Sequence, residues 1–137
     1  AERTSCYFGT LSIGYSESKG ETLINSILIN KGEVLPCSVT ESFHTRVAGQ
    51  KVINCRITES RAPETNPKFV KIIHEEEMEL PDGREAGQEI QITYSYDSNQ
   101  IMHAQFKDVS SGFEKVISLS FANNSKESAG IYKFLVD

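Results

Sequence analysis

Apolar and polar residues alternate most regularly in the segment 87–108. From Ile90 to Tyr96 every second residue is apolar or aromatic, and the residues between them are polar. A period of two is typical of a β-strand with one buried face. Residues 97–100 (DSNQ) favour a turn, because Asp and Asn side chains bond their own backbone, and alternation resumes from Met102 to Phe106. The segment is therefore predicted to be a β-hairpin around which the fold is arranged.

Six other segments are rich in branched or aromatic residues and are bounded by turn signals. They are residues 7–15, 23–30, 37–45, 51–58, 69–80 and 113–121. The second of these fits a helix or a strand by periodicity, but its short length and branched residues favour a strand. In the fifth, Val70, Ile72, Met78 and Leu80 are predicted to share one face. About eight short strands with close turn signals predict an all-β fold, an antiparallel β-sandwich.

The end of the chain has a different pattern. Asn124 or Ser125 can cap a short helix, and the residues that follow place Ile131, Phe134 and Leu135 at helical spacing. A short C-terminal helical segment is therefore expected after the last strand.

Length, composition and charge narrow the classes of function. A chain of 137 residues with 38% hydrophobic content is expected to form one domain, with the sandwich at 7–121 and the helical tail at 122–137. The net charge of -5 gives no electrostatic support for a nucleic-acid partner. No apolar stretch approaches the roughly 20 residues that span a bilayer, so no membrane partner is expected. Three widely spaced cysteines and the absence of a signal-peptide pattern favour a reduced, cytoplasmic setting.

Sequence motifs for catalysis are missing. The sequence has no GxSxG, P-loop or HExxH motif, and its three histidines lie far apart. The acidic run from Glu75 to Glu77 is interpreted as a solvated strand edge, because adjacent strand residues point to opposite faces and cannot converge on one ion. No catalytic residue and no metal site is expected, so the domain is not predicted to be an enzyme. The residues alone predict a sandwich that binds another molecule or forms part of a larger one.

A set of short motifs resembles one protein family. The motifs are LSIG at 11–14, INKG at 29–32 with LP at 35–36, IMHA at 101–104, KD at 107–108 and SG at 111–112. In their order and spacing they resemble the substrate-binding domain of the DnaK-type chaperones, the heat shock protein 70 family, over residues 7–121. The segment 69–80 is less similar to that family.

The resemblance implies a function and a set of partners. A domain of this family holds extended apolar segments of unfolded polypeptides between the loops of a two-sheet sandwich. Main-chain hydrogen bonds give such binding its tolerance of sequence, and an apolar pocket gives selectivity. The resemblance also implies a longer chain, with a nucleotide-binding domain before this one, a helical lid after it, and J-domain co-chaperones as partners. ATP and magnesium would belong to the nucleotide-binding domain, so no cofactor is expected here.

Site residues follow from the same resemblance. The walls of the apolar pocket match Tyr15, Phe43, Ile53 and Cys55, and its floor matches Ile90. The contacts to the peptide backbone match His44 and Gln50. The two loop tips that close over the peptide match Ser18 and Arg46. Lys31 and Asn99 lie on loops that, in the family, face the nucleotide-binding domain.

One departure from the family opens a second hypothesis. The family closes its arch with apolar residues, whereas here the tips carry Arg46 and the polar region around Ser18. A basic arch either prefers acidic peptides or stays open, and an open arch predicts a structural or protein-interaction sandwich that has lost peptide capture. A third hypothesis, a small enzyme or a carbohydrate-binding sandwich, is supported only by Tyr94 and Tyr96, which alternate as buried residues do.

Overall fold

Two antiparallel four-stranded sheets pack face to face in the computed structural model, which describes residues 2–121. The strands are β1 (Tyr7–Ser16), β2 (Gly20–Ile29), β3 (Cys37–His44), β4 (Val52–Ser60), β5 (Lys71–Glu79), β6 (Glu89–Tyr96), β7 (Ile101–Asp108) and β8 (Glu114–Ser120). A single turn of 3-10 helix (Pro67–Phe69) precedes β5. The predicted all-β sandwich is confirmed, and the predicted helix at 122–137 lies outside the described residues.

The strand order places the core between the two sheets. One sheet has the order β2-β1-β4-β5, and the other has the order β3-β6-β7-β8. Side chains that alternate inward from both sheets fill the space between them, as the packing of two sheets requires. The largest fully buried side chains are those of Tyr94, Phe106, Ile29, Ile57 and Met102.

The predicted hairpin is confirmed as β6 and β7. The two strands pair from Ile90 opposite Asp108 to Tyr96 opposite Met102. The Asp97 carboxylate accepts hydrogen bonds from the backbone N–H groups of Asn99 and Ile101, at 2.8 and 3.1 Å. The Asp97 side chain therefore acts as predicted, since it satisfies backbone donors of the turn. The Asn99 side chain makes no hydrogen bond to a described residue, and the residue in the left-handed conformation is Gln100, with a φ of 63°.

The first sheet divides along its length. β1 pairs with β4 only from Tyr7 to Gly9, and the last partner on β4 is Thr58. On both sides of this point the outer strands carry a bulge, with Leu28 as the extra residue in β2 and Ile73 as the extra residue in β5. A bulge bends its strand, so β1 with β2 and β4 with β5 diverge from here on.

The bulge in β5 also corrects one prediction from the sequence. Ile72 was expected to share the inward face of Met78 and Leu80, but it is 44% exposed, and Ile73 packs against the core instead. One extra residue reverses the phase of the alternation on one side of it. The expected single face of 69–80 is therefore wrong at its beginning and correct at its end.

At the end of the sandwich where the strands diverge, a buried ion pair joins three connections. The Arg84 guanidinium donates two hydrogen bonds to the Asp108 carboxylate at 2.8 and 2.9 Å, and Asp108 is fully buried. Ser111 donates to the same carboxylate from its backbone N–H. The Arg84 carbonyl accepts from the N–H of Gly49 at 2.7 Å. The connection between β3 and β4 is thus held against those between β5 and β6 and between β7 and β8.

The pair also shifts the ionisation of Asp108. Burial raises the pKa of this carboxyl, but the hydrogen bonds from Arg84 and Ser111 outweigh burial and hold the pKa below its ordinary value. A carboxyl with a lowered pKa stabilises the folded state above its unfolded pKa, and this contribution is lost as the pH falls through the folded pKa.

Arg84→Ala is expected to lower the free energy of unfolding by about 3–5 kcal/mol at pH 7, because it leaves a buried carboxylate without its partner. In the variant the Arg84 hydrogen bonds no longer oppose burial, so the pKa of Asp108 lies above its value in the parent protein and the carboxyl takes up a proton at a higher pH. The loss in free energy of unfolding therefore becomes smaller towards pH 4. Urea denaturation at both pH values measures this. The exposed Arg61, replaced by Ala, serves as the control, with a change within about 0.5 kcal/mol. Equal deficits for Arg84→Ala at the two pH values would contradict the assignment.

Candidate functional site

A cleft opens where β1 and β4 diverge, and it has a volume of about 680 Å³. Its lining comes from both sheets and from the connection between β3 and β4. The lining residues are Thr10, Leu11, Ser12 and Ile13 of β1, Leu23 of β2, Phe43 and His44 of β3, Arg46, Val47 and Gln50 of the connection, Val52, Ile53, Asn54 and Arg56 of β4, Ile90 and Ile92 of β6, and Phe106 of β7.

The floor of the cleft and part of one wall are apolar. Ile90, Ile92 and Phe106 reach it from the second sheet, where they are buried. Ile13 and Leu23 are cross-strand partners on one wall, and they are 42% and 37% exposed. Branched apolar side chains next to an apolar floor form a site for another apolar group, since exposing them to water is unfavourable.

Two strand edges border the cleft. Beyond Gly9, β1 pairs with β2, and β4 before Thr58 pairs with β5, while the register between β1 and β4 has ended. The sides of β1 and β4 that face the cleft therefore present backbone N–H and C=O groups outside the ladder. Such an edge accepts an extended chain as an additional strand, with main-chain hydrogen bonds that do not depend on the sequence of that chain.

Two hydroxyl groups end the pairing of β1 with β4. The Tyr94 hydroxyl donates to the Gly9 carbonyl at 2.7 Å, and the Thr10 hydroxyl donates to the Arg56 carbonyl at 2.7 Å. Tyr94 comes from the opposite sheet and is fully buried, and this burial raises its pKa, so the hydroxyl stays protonated and can donate. Both carbonyls thus accept a side-chain hydroxyl at the level where the register between β1 and β4 ends.

Gly9 makes a close approach possible at this point. The Asn25 side chain crosses over it from β2, accepts from the Thr58 hydroxyl at 2.6 Å and donates to the Glu64 carbonyl at 2.9 Å. A Cβ atom on Gly9 would collide with the Ser26 carbonyl oxygen. Glycine is therefore required here by space, because the backbone of β2 and a buried amide both lie against it.

The rim of the cleft is built by the connection between β3 and β4. The Gln50 side chain accepts from the backbone N–H of Arg46 at 2.9 Å and donates to the Val52 carbonyl at 3.1 Å. This fixes the backbone of the turn at Arg46. The Arg46 guanidinium then reaches across to Glu21 of β2, with a separation of 2.5 Å between nitrogen and oxygen. The ion pair bridges the two walls of the cleft.

Six of the residues assigned by the family resemblance line this cleft. They are Phe43, His44, Arg46, Gln50, Ile53 and Ile90. They come from the stretch 43–53, which covers the end of β3, its connection and the start of β4, and from β6. The amide groups of Gln50, which were expected beside a peptide backbone, are bound within the turn itself.

The other three assigned residues lie outside the lining. Cys55 is fully buried behind the wall, between Asn54 and Arg56, and burial raises its pKa to about 12. It belongs to the core. Tyr15 is 76% exposed near the end of β1, and Ser18 lies in the turn that follows. Both residues follow closely in the sequence after Ile13, which lines the cleft, but neither side chain belongs to the cleft wall.

Lys31 and Asn99, assigned to a domain interface, lie at the other end of the sandwich. Lys31 follows β2 and Asn99 lies between β6 and β7, and both are exposed. The first described residues reach the same end, since Arg3 bridges to Val34. The structure places these two residues on one end of the sandwich, away from the cleft.

Sequence reasoning missed several residues of the lining. Leu11 and Ile13 alternate with Ser12 and Gly14, so their common face was visible in the sequence, but the face of a strand does not reveal that its neighbour departs. The alternation in β6 and β7 predicts Ile92 and Phe106 to be core residues. They are buried, and they also form part of the cleft floor. The sequence feature that points to these two residues is the alternation in β6 and β7, which turns every second side chain towards the space between the sheets.

The described residues also bear on two other kinds of chemistry, metal binding and cysteine reactivity. No group of three or more His, Cys, Asp or Glu side chains among residues 2–121 could hold a metal ion. Cys6, Cys37 and Cys55 are free thiols, and burial raises the pKa of each, which disfavours the reactive thiolate. Within the same part of the chain, no helix has the length and apolar character to cross a membrane.

Comparison with known proteins finds no family model that matches the sequence and no curated protein that matches it. The relationship to the heat shock protein 70 family therefore remains a prediction from the motifs.

Tyr94→Phe is expected to lower the free energy of unfolding by about 1–3 kcal/mol, because it removes a buried hydrogen bond from the Tyr94 hydroxyl to the Gly9 carbonyl. Chemical denaturation measures the change. Tyr96→Phe is the matched control on the same strand and face, since its hydroxyl makes no hydrogen bond to a described residue, and a change within about 0.5 kcal/mol is expected. Equal effects of the two substitutions would show that the Tyr94 hydroxyl does not support the divergence.

Proposed function

We propose that this domain holds an extended apolar segment of an unfolded polypeptide, as the substrate-binding domain of a chaperone of the heat shock protein 70 type. One observation carries the proposal: β1 and β4 separate above an apolar floor and leave two strand edges facing the cleft between them. A single chain in extended conformation can pair with strand edges and place every second side chain towards the floor.

The size of the cleft fits a short stretch of peptide. A volume of about 680 Å³ lies in the range of pockets that hold a small ligand, and it exceeds what one apolar side chain occupies. The proposed arrangement places one Leu or Ile side chain over Ile90 and Ile92, and the flanking backbone between β1 and β4. Selectivity then comes from the floor, and tolerance of sequence comes from the edges.

The residues that the resemblance assigned support the proposal. Phe43, Ile53 and Ile90 come from three different strands, β3, β4 and β6, and line one cleft. In the proposed function the domain is not itself an enzyme. A nucleotide-binding domain of the same chain would bind ATP and magnesium, and J-domain co-chaperones would act with it. Lys31 and Asn99 are proposed to face that domain, at the end of the sandwich away from the peptide.

The proposed setting is the cytoplasm. Cys6, Cys37 and Cys55 are all free thiols, and an odd set of unpaired cysteines is usual in a reducing compartment.

Ile13→Asp is expected to raise the dissociation constant for a fluorescein-labelled, leucine-rich heptapeptide at least about tenfold, because a charge on the cleft wall opposes an apolar ligand. Ile13 is partly exposed, so the substitution leaves the core intact. Phe43→Ala tests the opposite side of the cleft in the same way. Fluorescence anisotropy measures the binding, and circular dichroism checks the fold.

Val116→Asp is the matched control, since Val116 is a branched residue of β8 that is 55% exposed and lies outside the cleft. The dissociation constant of Val116→Asp for the labelled heptapeptide should stay within about twofold of the value for the parent protein. Saturable binding that none of these substitutions changes would exclude this cleft as the site. A well-folded protein that binds no peptide would favour the sandwich that has lost peptide capture.

A further inference from the structure

The charges that line the cleft have one sign. Its charged side chains are those of Arg46 and Arg56, and the lining also contains His44. No Asp or Glu belongs to the described lining. The chain as a whole has 19 acidic and 14 basic residues. The charged side chains of the lining are therefore basic although the protein as a whole is acidic, and a negatively charged group on a ligand would complement them.

Both arginines have a carboxylate partner outside the lining. Arg56 pairs with Glu75, its cross-strand neighbour on β5, at 2.6 Å, and its side chain is 24% exposed. Arg46 pairs with Glu21 across the mouth of the cleft, and the two side chains are 47% and 62% exposed. An ion pair this exposed contributes little to stability, so another carboxylate can replace Glu21 at small cost.

The two arginines differ in their freedom to change partner. Arg56 is held along the strand by a neighbour in register. Arg46 lies on the rim, where Gln50 fixes its backbone N–H and leaves the guanidinium to extend from a defined point. A guanidinium binds a carboxylate through two parallel hydrogen bonds, so it recognises the group by geometry as well as by charge.

We propose that the cleft prefers an extended peptide that carries an acidic residue beside its apolar anchor, and that Arg46 determines this preference by exchanging Glu21 for the carboxylate of the peptide. This inference rests on the proposed function and adds a substrate class to it. The apolar anchor occupies the floor formed by Ile90 and Ile92, and the acidic residue lies at the rim. Closure over the peptide is then ionic, and it depends on what the peptide itself supplies.

Three fluorescein-labelled peptides with one leucine-rich core test the preference. Their flanking residues are Asp, Ser or Lys, and anisotropy at low ionic strength gives the dissociation constants. The peptide with Asp is expected to bind about tenfold more tightly than the peptide with Lys, with the Ser peptide between them. The ratio should shrink as salt is raised towards 1 M, where the screening length falls to about 3 Å.

Two substitutions assign the preference to the ion pair. Arg46→Gln is expected to bring the ratio between the Asp and Lys peptides close to one. Glu21→Gln removes the competing carboxylate and should tighten binding of the Asp peptide about threefold. Arg61→Gln is the matched control, because Arg61 is exposed and lies in the connection after β4, away from the cleft, and it should leave the ratio unchanged.

The outcomes separate this inference from the proposed function. Binding of the Ser peptide with equal affinities for the Asp and Lys peptides, or with a preference for Lys, overturns the inference and leaves peptide capture in place. An unchanged ratio in Arg46→Gln overturns the role of Arg46. A folded protein that binds none of the three peptides overturns both proposals.

Discussion

The hydrogen bond from the Tyr94 hydroxyl to the Gly9 carbonyl lies at the point where the first sheet divides. Below this bond β1 and β4 are neighbours in one ladder, and beyond it they are two walls of a cleft. A ladder cannot end inside a sandwich unless its last carbonyls find other donors. The Tyr94 and Thr10 hydroxyls donate to backbone carbonyls at this level, and the bulges in β2 and β5 bend the outer strands there. The opening is thus built into the core and does not depend on a flexible loop.

The rest of the site follows from that division. The second sheet stays continuous beneath the opening, so its inward apolar side chains become a floor. The rim depends on the Arg84 pair with Asp108, which holds the connections at this end of the sandwich in place. Arg46 is positioned on that rim by Gln50 and faces Glu21. Buried, well-satisfied interactions hold the frame, and an exposed pair that exchanges at small cost lies across the mouth.

The sequence predicted the parts of this structure that depend on local pattern. Alternation in β6 and β7 identified the strands, their hairpin and their buried face, because one face of each strand is in the core. Alternation could not identify which of Ile72 and Ile73 turns inward, since the bulge depends on pairing with β4. The resemblance brought Ile53 and Cys55 to the pocket together, but only the position of the wall shows that Cys55 lies behind it. The pairing of Arg46 with Glu21 joins distant segments and required the tertiary structure.

Hydrogen–deuterium exchange with and without a leucine-rich peptide tests the central claim most directly, because it reports on the strand edges themselves. If an extended segment pairs with the divided sheet, the amides of residues 10–14 and 52–57 become protected on binding. The amides of β8, on the far edge of the second sheet, keep their exchange rates. Saturating peptide that leaves residues 10–14 and 52–57 unprotected would contradict the account.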